Sequence, residues 1–499
     1  MKHFIRILTA ILAVIMLLPA AVSCANTNDP DTTQGSASTT APEGNQGDDS
    51  TAEETLFATS NIPADLKFDG ETIKFLYWQD VEHTEFFVED TNGESVNDAI
   101  YTRNERVQDQ FGITLEFTGT PGNYNNQAAF VSTCTNSTNS GADAHDIFAG
   151  YSMTGATLMT KGLAQDLTKY EIIEFEKPWW PETLISKATI NDAIYFTSGD
   201  ISTNFLYMMY GAFFNKDMFV DLYESTSTLY DLVHDQKWTL DKLIEYSTGI
   251  FNDNDGDSAA SESDRFGFVT INIHFDSFFT GSDLYTVVPS DDGKLVLSGD
   301  LASEKAADLV SKVCSWLHDS GDCWIKNSEA IFSQNRSLFT IDRIRLASRA
   351  LKDVDFSFGI LPIPKYSEDQ NDYKTCMAFP FTTYVLSVAS NSPEAAAATL
   401  ELMAYQSYLL ITPALFEESM KLRYADAGDD SLMYDIIRRT VIIDIGRLLT
   451  TQVNNYSYSI FRTAVNDNAA GNWSRSQTAG CKLFDKVLGI VNEAVEKLG

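Results

Sequence analysis

The chain has 499 residues and carries 70 acidic against 35 basic side chains, which gives a formal net charge of −35 at pH 7. Acidity of this size repels polyanions and argues against nucleic acid or anionic lipid as the partner. The aromatic content of 12% is compatible with a binder of neutral or cationic solutes, although most of the rings are expected to form core.

The first residues predict an export signal that ends in a lipid attachment site. A basic start leads into an apolar run from Ile7 to Val22, and small residues stand directly before Cys24. This order is typical of a secretory signal, and the residues around the cysteine resemble the lipobox of bacterial lipoproteins. We expect residues 1–23 to be removed and Cys24 to be acylated, for example with palmitate, so that the protein is anchored at the outer face of the cell membrane. An ordinary signal peptide or a single membrane anchor is the alternative, but the run is short of the ~20 residues that a spanning helix needs.

Residues 24–64 predict a flexible tether behind this anchor. From Ala25 to about Ser60 the chain consists mainly of Thr, Ser, Asn, Gly, Gln, Pro and acidic residues. Such a composition cannot bury enough apolar surface to offset chain entropy, so we expect it to stay disordered. A coil of roughly 35 residues has a reach of about 30 to 35 Å.

Strand and helix patterns alternate from the start of the folded body. Residues 72–77 form a β-rich run, and Ile113–Phe117 reads as the next strand. Between them, a helix is predicted that ends at Gly112. Its buried face is expected to carry Val96, Ile100, Arg103, Val107 and Phe111. A further strand is expected at residues 146–149, followed by a helix through Leu158 that stops at Gly162.

Later helices are predicted to begin at Thr239, near Ser303 and at Ser392, where an N-cap hydroxyl precedes a proline and an acid. A last amphipathic helix carries Leu483, Val487, Ile490, Val491 and Val495. Strands interleaved with helices imply α/β sheets. The body, from about Asp65 onward, is too long for one ordinary core, which indicates two lobes.

Five segments, in this order, resemble the extracellular solute-binding proteins of ABC importers, the large family that includes maltose-binding protein. They are Asn104–Val107 with Gly112–Ile113, Asp146–Ile147 with Gly162–Leu167, Phe213–Phe219, Lys237–Asp241 and Phe358–Lys365. The last three are similar to the family's Y-N-K-x-x-F, W-T-x-x-E/D and F-G-x-x-P-x-P stretches. Each segment is a weak signal alone, and five in the family's order make a strong one.

The resemblance implies an α/β, two-lobe periplasmic-binding-protein-like fold of type II with hinge strands and a helical C-terminal part. By analogy, residues 65–203 and 360–420 form lobe 1, residues 204–359 and 421–499 form lobe 2, and the chain crosses near 199–204 and returns near 359–364. A solute, expected to be a sugar or oligosaccharide, would bind in the cleft between the lobes. A monomer would deliver it unaltered to the permease subunits of an ABC importer, with no cofactor required and no nucleic acid involved.

The expected ligand-binding residues stand at strand ends and in loops facing the cleft. A sugar offers an apolar face and a rim of hydroxyls, so its site needs flat rings beside planar hydrogen-bonding groups. The candidates are Trp78, Asp80, Tyr151, Tyr207, Tyr210, Asp342, Arg343, Tyr458 and Arg462. The position of Tyr151 is similar to that of a ring-stacking residue in the family. Core or surface is the alternative for each candidate.

Two aromatic clusters could serve either ligand binding or core packing. Residues 177–181 (Lys-Pro-Trp-Trp-Pro) could present indoles to a saccharide, but similar sequences pack this segment against the first lobe, and core packing is favoured. Residues 274–279 (His-Phe-Asp-Ser-Phe-Phe) could face the cleft from the second lobe, and here core and function are equally open.

An acidic loop resembles the EF-hand calcium pattern. Asp253, Asp255, Asp257 and Asp264 occupy positions 1, 3, 5 and 12 of that pattern, and alternate acids on a tight loop can direct their oxygens at one point. Ser258 stands where the pattern has glycine, and Asp264 is shorter than the usual glutamate. A structural calcium ion on the second lobe and a solvated acidic loop are both open.

The motifs of common enzyme classes are not found in the sequence. It has no HExxH, no GxSxG and no GxxxxGK[ST] motif. A secreted glycan-active hydrolase needs only two suitably spaced carboxylates and stays an alternative, as does an adhesion lipoprotein. Beyond Cys24 the chain has five cysteines, an odd number without a CxxC pair, and Cys314 could pair with Cys323 across a turn.

Overall fold

A computed structural model describes residues 58–141, 144–420 and 427–498. The export signal, Cys24 and nearly all of the expected tether lie outside these residues, so the predictions made for them remain predictions. In the described part of the chain, none of the helices combines the length and the apolar character needed to cross a bilayer.

Short strands alternate with helices along the chain, as the sequence predicts. The strands are β1 Thr72–Trp78, β2 Thr114–Thr120, β3 Ile147–Tyr151, β4 Tyr210–Asn215, β5 Phe266–Val269, β6 Val287–Pro289, β7 Leu295–Leu297, β8 Cys323–Trp324, β9 Ser337–Arg343, β10 Phe358–Leu361 and β11 Thr382–Leu386. The helices are α1 Ser95–Phe111, α2 Gln127–Thr138, α3 Met153–Thr160, α4 Glu182–Ala188, α5 Thr203–Tyr207, α6 Lys216–Tyr223, α7 Ser227–His234, α8 Leu240–Ser247, α9 Asp276–Gly281, α10 Glu304–Cys314, α11 Ser328–Ser333, α12 Arg345–Ser348, α13 Pro393–Met420, α14 Ala427–Arg439, α15 Ile445–Leu448, α16 Tyr456–Asn466 and α17 Trp473–Val495.

The first sheet has the strand order β11-β3-β1-β2. Strand β1 runs parallel to β2 and β3, while β11 pairs antiparallel with β3. Because side chains alternate across a strand, β1 buries Ile73 and Phe75 on one face and Leu76 and Trp78 on the other. A strand buried on both faces is typical of a parallel sheet covered by helices, and α1 and α13 pack along one another beside it.

The second sheet has the strand order β10-β4-β9-β5-β8. Strand β4 is antiparallel to β9 and β10, and β5 is parallel to β8 and β9. Glycine is required in β5, because a Cβ on Gly267 would lie 1.7 Å from the carbonyl oxygen of Ser247. Strands β6 and β7 form a separate antiparallel pair. Two sheets with interleaved strands confirm the predicted α/β class.

Two chain segments connect the sheets and pair with each other. The first leads from α5 into β4, and the second leads from β10 to β11; Met209 and Met377 form an antiparallel bridge between them. The Tyr210 amide donates to the Cys376 carbonyl at 3.0 Å, and the Ala378 amide donates to the Met208 carbonyl at 2.9 Å. A paired connection of this kind is suited to act as a hinge between two lobes.

The return crossing lies further along the chain than the sequence predicts. It was expected near residues 359–364, but β10 is a strand of the second sheet and pairs there with β4. The segment after β10 is held in the second lobe, since Trp238 Nε1 donates to the Pro362 carbonyl at 2.9 Å. The chain therefore returns nearer Met377. The predicted lobe boundaries at residues 203 and 420 remain predictions.

The predicted helix faces are confirmed in α1 and partly wrong in α17. All five apolar-face residues of α1 are buried, and Gly112 closes the helix in the left-handed region with φ 68°. In α17, however, Leu483 and Ile490 are 50% and 60% exposed, while Phe484 and Leu488 are buried. Each residue turns a helix by about 100°, so a face chosen one position too early points partly into solvent.

The five described cysteines are free thiols. Cys314 Sγ lies 3.7 Å from the Ala464 carbonyl, on the side of the C-terminal helices. Cys323 begins β8 and is approached by the Ser320 hydroxyl at 3.8 Å. The Cys314–Cys323 pairing that the sequence left open is not formed.

The Trp179-Trp180 pair packs in the core, as the favoured interpretation predicted. Trp179 and Trp180 are 0% and 2% exposed, and their indole N–H groups donate to the two carboxylate oxygens of Glu401 at 2.9 and 2.8 Å. The Glu174 amide donates to the same carboxylate at 3.1 Å. A buried glutamate on α13 therefore fastens this segment to the first lobe.

We expect Glu401 to make the protein less stable as the pH rises. Burial raises the pKa of Glu401 to about 7, although its three hydrogen bonds act in the opposite direction. The folded state then keeps a proton that the unfolded state releases near its ordinary pKa of 4.5. Between these two values stability falls with rising pH, by up to about 1.4 kcal/mol per pH unit. Urea unfolding at pH 5 and pH 7.5 measures the difference.

Glu401→Gln should flatten this pH dependence, because the amide does not titrate. Glu394→Gln, on the exposed first turn of the same helix, is the matched control and should leave the dependence intact. Identical pH profiles for wild type and Glu401→Gln would contradict the assignment.

Candidate functional site

Two aromatic rings stand where strands of the first sheet end. Strand β1 ends at Trp78 and β3 ends at Tyr151, and the two rings meet edge to face with centroids 5.3 Å apart. Trp78 Nε1 donates to Thr382 Oγ1 at 2.8 Å, which ties the pair to β11. Trp78 is 1% exposed and Tyr151 is 6% exposed. The pair forms the first-lobe wall of the site.

The loop after β1 reaches across to residues that flank the second sheet. Glu82 Oε2 lies 2.5 Å from Arg345 Nη1 at the start of α12. The His83 ring stacks on Tyr207 with centroids 3.7 Å apart. Burial, followed by the charges of Arg345 and Arg349, lowers the pKa of His83 to about 4, so this imidazole is neutral at pH 7.

A buried carboxylate fixes the position of that loop. Glu85 is 1% exposed and accepts hydrogen bonds from the Tyr384 hydroxyl at 2.6 Å, from Ser202 Oγ at 3.0 Å and from Asn204 Nδ2 at 2.8 Å. The Arg103 guanidinium on α1 donates to the Glu85 carbonyl at 2.8 Å. The loop is thereby held against the segment that crosses to the second lobe.

The second wall is a group that we name the Asp276 cluster, in which Phe379 lies on the segment returning to the first sheet: Asp276, Phe379, Arg447, Tyr458 and Arg462. Arg447 Nη1 lies 2.5 Å from Asp276 Oδ2, and Arg462 donates through Nε at 2.9 Å and through Nη2 at 2.5 Å. The guanidinium carbon of Arg447 lies 4.3 Å from the Phe379 ring centroid, and that of Arg462 lies 4.1 Å from the Tyr458 centroid. Each arginine therefore presents one planar face to a ring and one edge to the shared carboxylate.

The two guanidinium groups keep Asp276 ionised despite its burial. Burial alone would raise its pKa, but Arg447 and Arg462 together hold the pKa of Asp276 below its ordinary value. In return, neighbouring groups raise the pKa of Arg447 although burial acts against them. The Asp276 cluster thus carries one negative and two positive charges.

A second charged pair ends strand β9. Arg343 Nε lies 3.0 Å from Asp342 Oδ1, and both residues are buried. His274 Nε2 lies 3.7 Å from the same carboxylate, and its ring stands edge to face with Tyr210 at 5.6 Å. Burial lowers the pKa of His274 to about 4 in spite of Asp342, so this ring is also neutral at pH 7.

The two walls are linked through Ser152, which follows Tyr151 and whose Oγ donates to the carbonyl of Phe379 in the Asp276 cluster at 2.6 Å. Burial is the main cause of the raised pKa of Tyr151 on the first lobe; Glu82 adds to it, and Arg447 of the Asp276 cluster acts against it. A surface cavity of about 600 Å³ is lined by Lys305, Asp308 and Tyr366 among others and shares no residue with these walls.

Solved structures share this architecture. No protein-family model and no curated protein matches the sequence. The chain is similar to the ABC substrate-binding protein Lmo0181 from Listeria monocytogenes in complex with cycloalternan, with a TM-score of 0.50, 12% identity and coverage of 84% of this chain and 100% of the other. It is also similar to a cyclo/maltodextrin-binding protein complexed with maltotetraose, with a TM-score of 0.55, 14% identity and coverage of 84% and 98%. The chain has the solute-binding-protein fold.

The likeness confirms the fold class predicted from the five sequence segments. Four of the nine predicted ligand-binding residues lie in the two walls, namely Trp78, Tyr151, Tyr458 and Arg462. Tyr207 stacks on His83, while Tyr210, Asp342 and Arg343 lie where β4 and β9 pair, beside His274. Asp80 instead organises the loop after β2, where its Oδ1 accepts from the Gly122 and Asn123 amides at 2.8 and 3.0 Å. Direct ligand contact by these residues remains a prediction.

Sequence reasoning missed Arg447, Phe379, Glu82 and Arg345. Arg447 and Asp444 are the two charged residues in the otherwise apolar run Val441–Leu449, and charges in such a run are a readable signal of buried polar contacts. For the 274–279 cluster the sequence left core packing and function equally open. Phe275 and Phe278 are buried in the core, while Asp276 pairs with Arg447 and Arg462.

The acidic loop of the second lobe brings three of its four predicted calcium ligands together. Oxygens of Asp253, Asp255 and Asp257 lie within 4.8 Å of one another. Asp264 is buried instead, and its two oxygens accept the Asn254 and Ser261 amides at 2.9 and 2.7 Å. Asp264 therefore closes the loop and is not in the convergent group. Calcium binding by the other three acids remains a prediction.

Proposed function

We propose that this protein is the substrate-binding lipoprotein of an ABC importer that captures an extracellular carbohydrate and delivers it to a membrane permease. The observation that carries the proposal is the Trp78–Tyr151 ring pair at the ends of β1 and β3, joined through Ser152 and Phe379 to the Asp276 cluster in a solute-binding-protein fold. Rings suit the C–H face of a sugar, and arginine and carboxylate groups suit its hydroxyl rim. The similar proteins were solved with cycloalternan and with maltotetraose.

The proposed cycle uses the paired hinge. Opening about the Met209–Met377 bridge exposes both walls, ligand bridges them, and the closed form is recognised by the permease. In the same proposal, Cys24 carries a lipid that anchors the protein at the outer face of the cell membrane, near the permease. The protein acts as a monomer. The hydrolase alternative is distinguished by turnover, because a hydrolase releases reducing ends whereas a binder only shifts its melting temperature.

We expect Tyr151→Ala to weaken binding of the cognate saccharide by at least tenfold, about 1.4 kcal/mol. The substitution removes the ring that faces the cleft from the end of β3. A thermal-shift screen of the soluble body with mono- and oligosaccharides, amino acids and peptides identifies the ligand, and calorimetry then compares the variants.

Tyr170→Ala is the matched control. Tyr170 is a comparably buried tyrosine of the first lobe, but its hydroxyl is bound to Gln165 away from the cleft. The control should lose stability and keep affinity. Equal affinities for Tyr151→Ala and wild type would reject the first-lobe wall as the binding surface.

A further inference from the structure

One ion pair joins the ends of two strands that belong to different sheets. Glu82 follows β1 of the first sheet, Arg345 follows β9 of the second sheet, and Glu82 Oε2 lies 2.5 Å from Arg345 Nη1. The two residues are 263 positions apart along the chain. The segments that connect the two sheets meet elsewhere, at the Met209–Met377 bridge. Any hinge motion that separates these two strand ends therefore breaks the pair.

The loop that carries Glu82 is held to the first sheet and to the start of the crossing segment. Glu85, three positions further on, accepts the hydroxyl of Tyr384 in β11 at 2.6 Å. The backbone of His83 exchanges two hydrogen bonds with the Asn204 side chain: its amide donates at 3.2 Å and its carbonyl accepts at 2.9 Å. With both following residues fixed in this way, Glu82 has little freedom to follow Arg345 when the sheets move apart.

Arg345 is held on the side of the second sheet. It is the first residue of α12, which directly follows β9. The amide of the preceding residue, Ile344, donates to the Met209 carbonyl at 2.9 Å, next to the start of β4. Arg345 therefore moves with the second sheet and Glu82 with the first.

The second sheet does not supply a carboxylate that pairs with Arg345. Burial lowers the pKa of Arg345, and the charges of Arg343 and Arg349 act in the same direction, against Glu82 and Asp342. Asp342 is already paired with Arg343 at 3.0 Å. Among the described residues, Glu82 is the one carboxylate that forms an ion pair with Arg345.

We infer that Glu82 and Arg345 form an interlobe ion pair that stabilises the closed form and raises the affinity for the solute without contacting it. This inference rests on the hinge closure of the proposed function and assigns two positioning residues to it. The pair includes no ligand atom, so it stabilises the closed form of the free protein as well. A ligand that binds the closed form binds more tightly when that form is more populated.

The burial of the interlobe ion pair sets both its strength and its sensitivity to salt. The side chain of Arg345 is 9% exposed and that of Glu82 is 32% exposed. Removing Glu82 leaves a buried guanidinium group near two other arginines, so the loss exceeds that of a surface pair. The exposed part of Glu82 is open to solvent ions, which weaken the attraction.

Small-angle X-ray scattering on the full chain tests the interlobe ion pair without a ligand, because the tether contributes equally to every variant. We expect Glu82→Gln and Arg345→Gln each to increase the radius of gyration. Combining Glu82→Arg with Arg345→Glu restores a pair of reversed polarity and should decrease the radius again. Salt at about 1 M, where the screening length is about 3 Å, should expand the wild type and leave Glu82→Gln unchanged.

Asp241→Asn is the matched control, since it removes an ion pair with Lys312 that joins α8 to α10 beside the second sheet. It should leave the radius of gyration as in the wild type. Equal radii for the wild type and both single variants would overturn the inference.

Calorimetry with maltotetraose and maltotriose then shows whether the two residues act through closure alone. Glu82→Gln, Arg345→Gln and the double variant should each lose about 5- to 30-fold in affinity, by a similar factor for both probes. Arg345 Nε is buried without an acceptor among the described residues, so direct ligand contact is the alternative. A clearly larger loss in the double variant than in either single variant would indicate such contact and would overturn the positioning role. If the radii change as expected and neither probe binds the wild type, the interlobe ion pair stands and the proposed carbohydrate ligand is contradicted.

Discussion

Replacing Trp78 with alanine should destabilise the protein by about 3–5 kcal/mol, the usual cost of deleting a buried tryptophan or phenylalanine side chain. The indole is 1% exposed, and it packs on Tyr151 and donates to Thr382. Binding should fail in the same variant, because Tyr151 loses the ring that holds it. Urea unfolding measures the free-energy change, and calorimetry measures the affinity.

Trp78→Phe separates the loss of the hydrogen bond from the loss of the buried ring, and Phe87→Ala is the control for removing an exposed ring. The phenylalanine variant keeps a ring against Tyr151 but loses the hydrogen bond to Thr382, so it should cost clearly less than the alanine variant. Phe87 is 40% exposed, and its removal should cost little. If Trp78→Ala unfolded at the wild-type urea concentration, Trp78 could not be a structural support of the site.

Local patterns in the sequence were sufficient for most of the secondary structure near the site. The helix face of α1, its stop at Gly112 and the strands ending at Trp78 and Tyr151 follow from periodicity and one glycine. The same strand ends supplied the first-lobe candidates, because ligands of open α/β sheets lie beyond the ends of their strands.

Pairings between distant parts of the chain could not be read from local patterns. Asp276 and Arg447 are 171 positions apart, and Glu82 and Arg345 are 263 apart. Tyr458 and Arg462 were selected because both stand near the start of a late helix, but Asp276, the partner of Arg462, could not be predicted. The misplaced return crossing has the same origin, since only the pairing of β10 with β4 shows which lobe holds that segment.

The charge of the site also could not be predicted from the composition. An excess of acids over the whole chain indicates neutral or cationic partners, yet the second wall pairs two arginines, Arg447 and Arg462, with one carboxylate, Asp276. Surface charges outnumber buried ones in any soluble protein, so the net charge mainly describes the outside. The sign of a cleft depends on a few residues whose positions only the fold defines.

Asp276→Asn should destabilise the protein by about 3–5 kcal/mol, which is the typical cost of removing one partner of a buried ion pair. Asp276 is 4% exposed and is the only carboxylate that Arg447 and Arg462 contact among the described residues. Its loss leaves two guanidinium groups close together without compensation. Because the pKa of Asp276 is held below its ordinary value, its stabilising effect is present above the unfolded-state pKa and is lost as the pH falls through the folded value.

A double-mutant cycle with Arg462→Leu isolates this charge effect. In the Arg462→Leu background one guanidinium fewer is left unpaired, so Asp276→Asn should cost less there than in the wild type, and the difference is the coupling energy. Urea unfolding at pH 7 and pH 3.5 supplies both the cycle and its pH dependence. If the cost were the same in both backgrounds, Asp276 would contribute through packing alone, and the second wall would not be organised by charge.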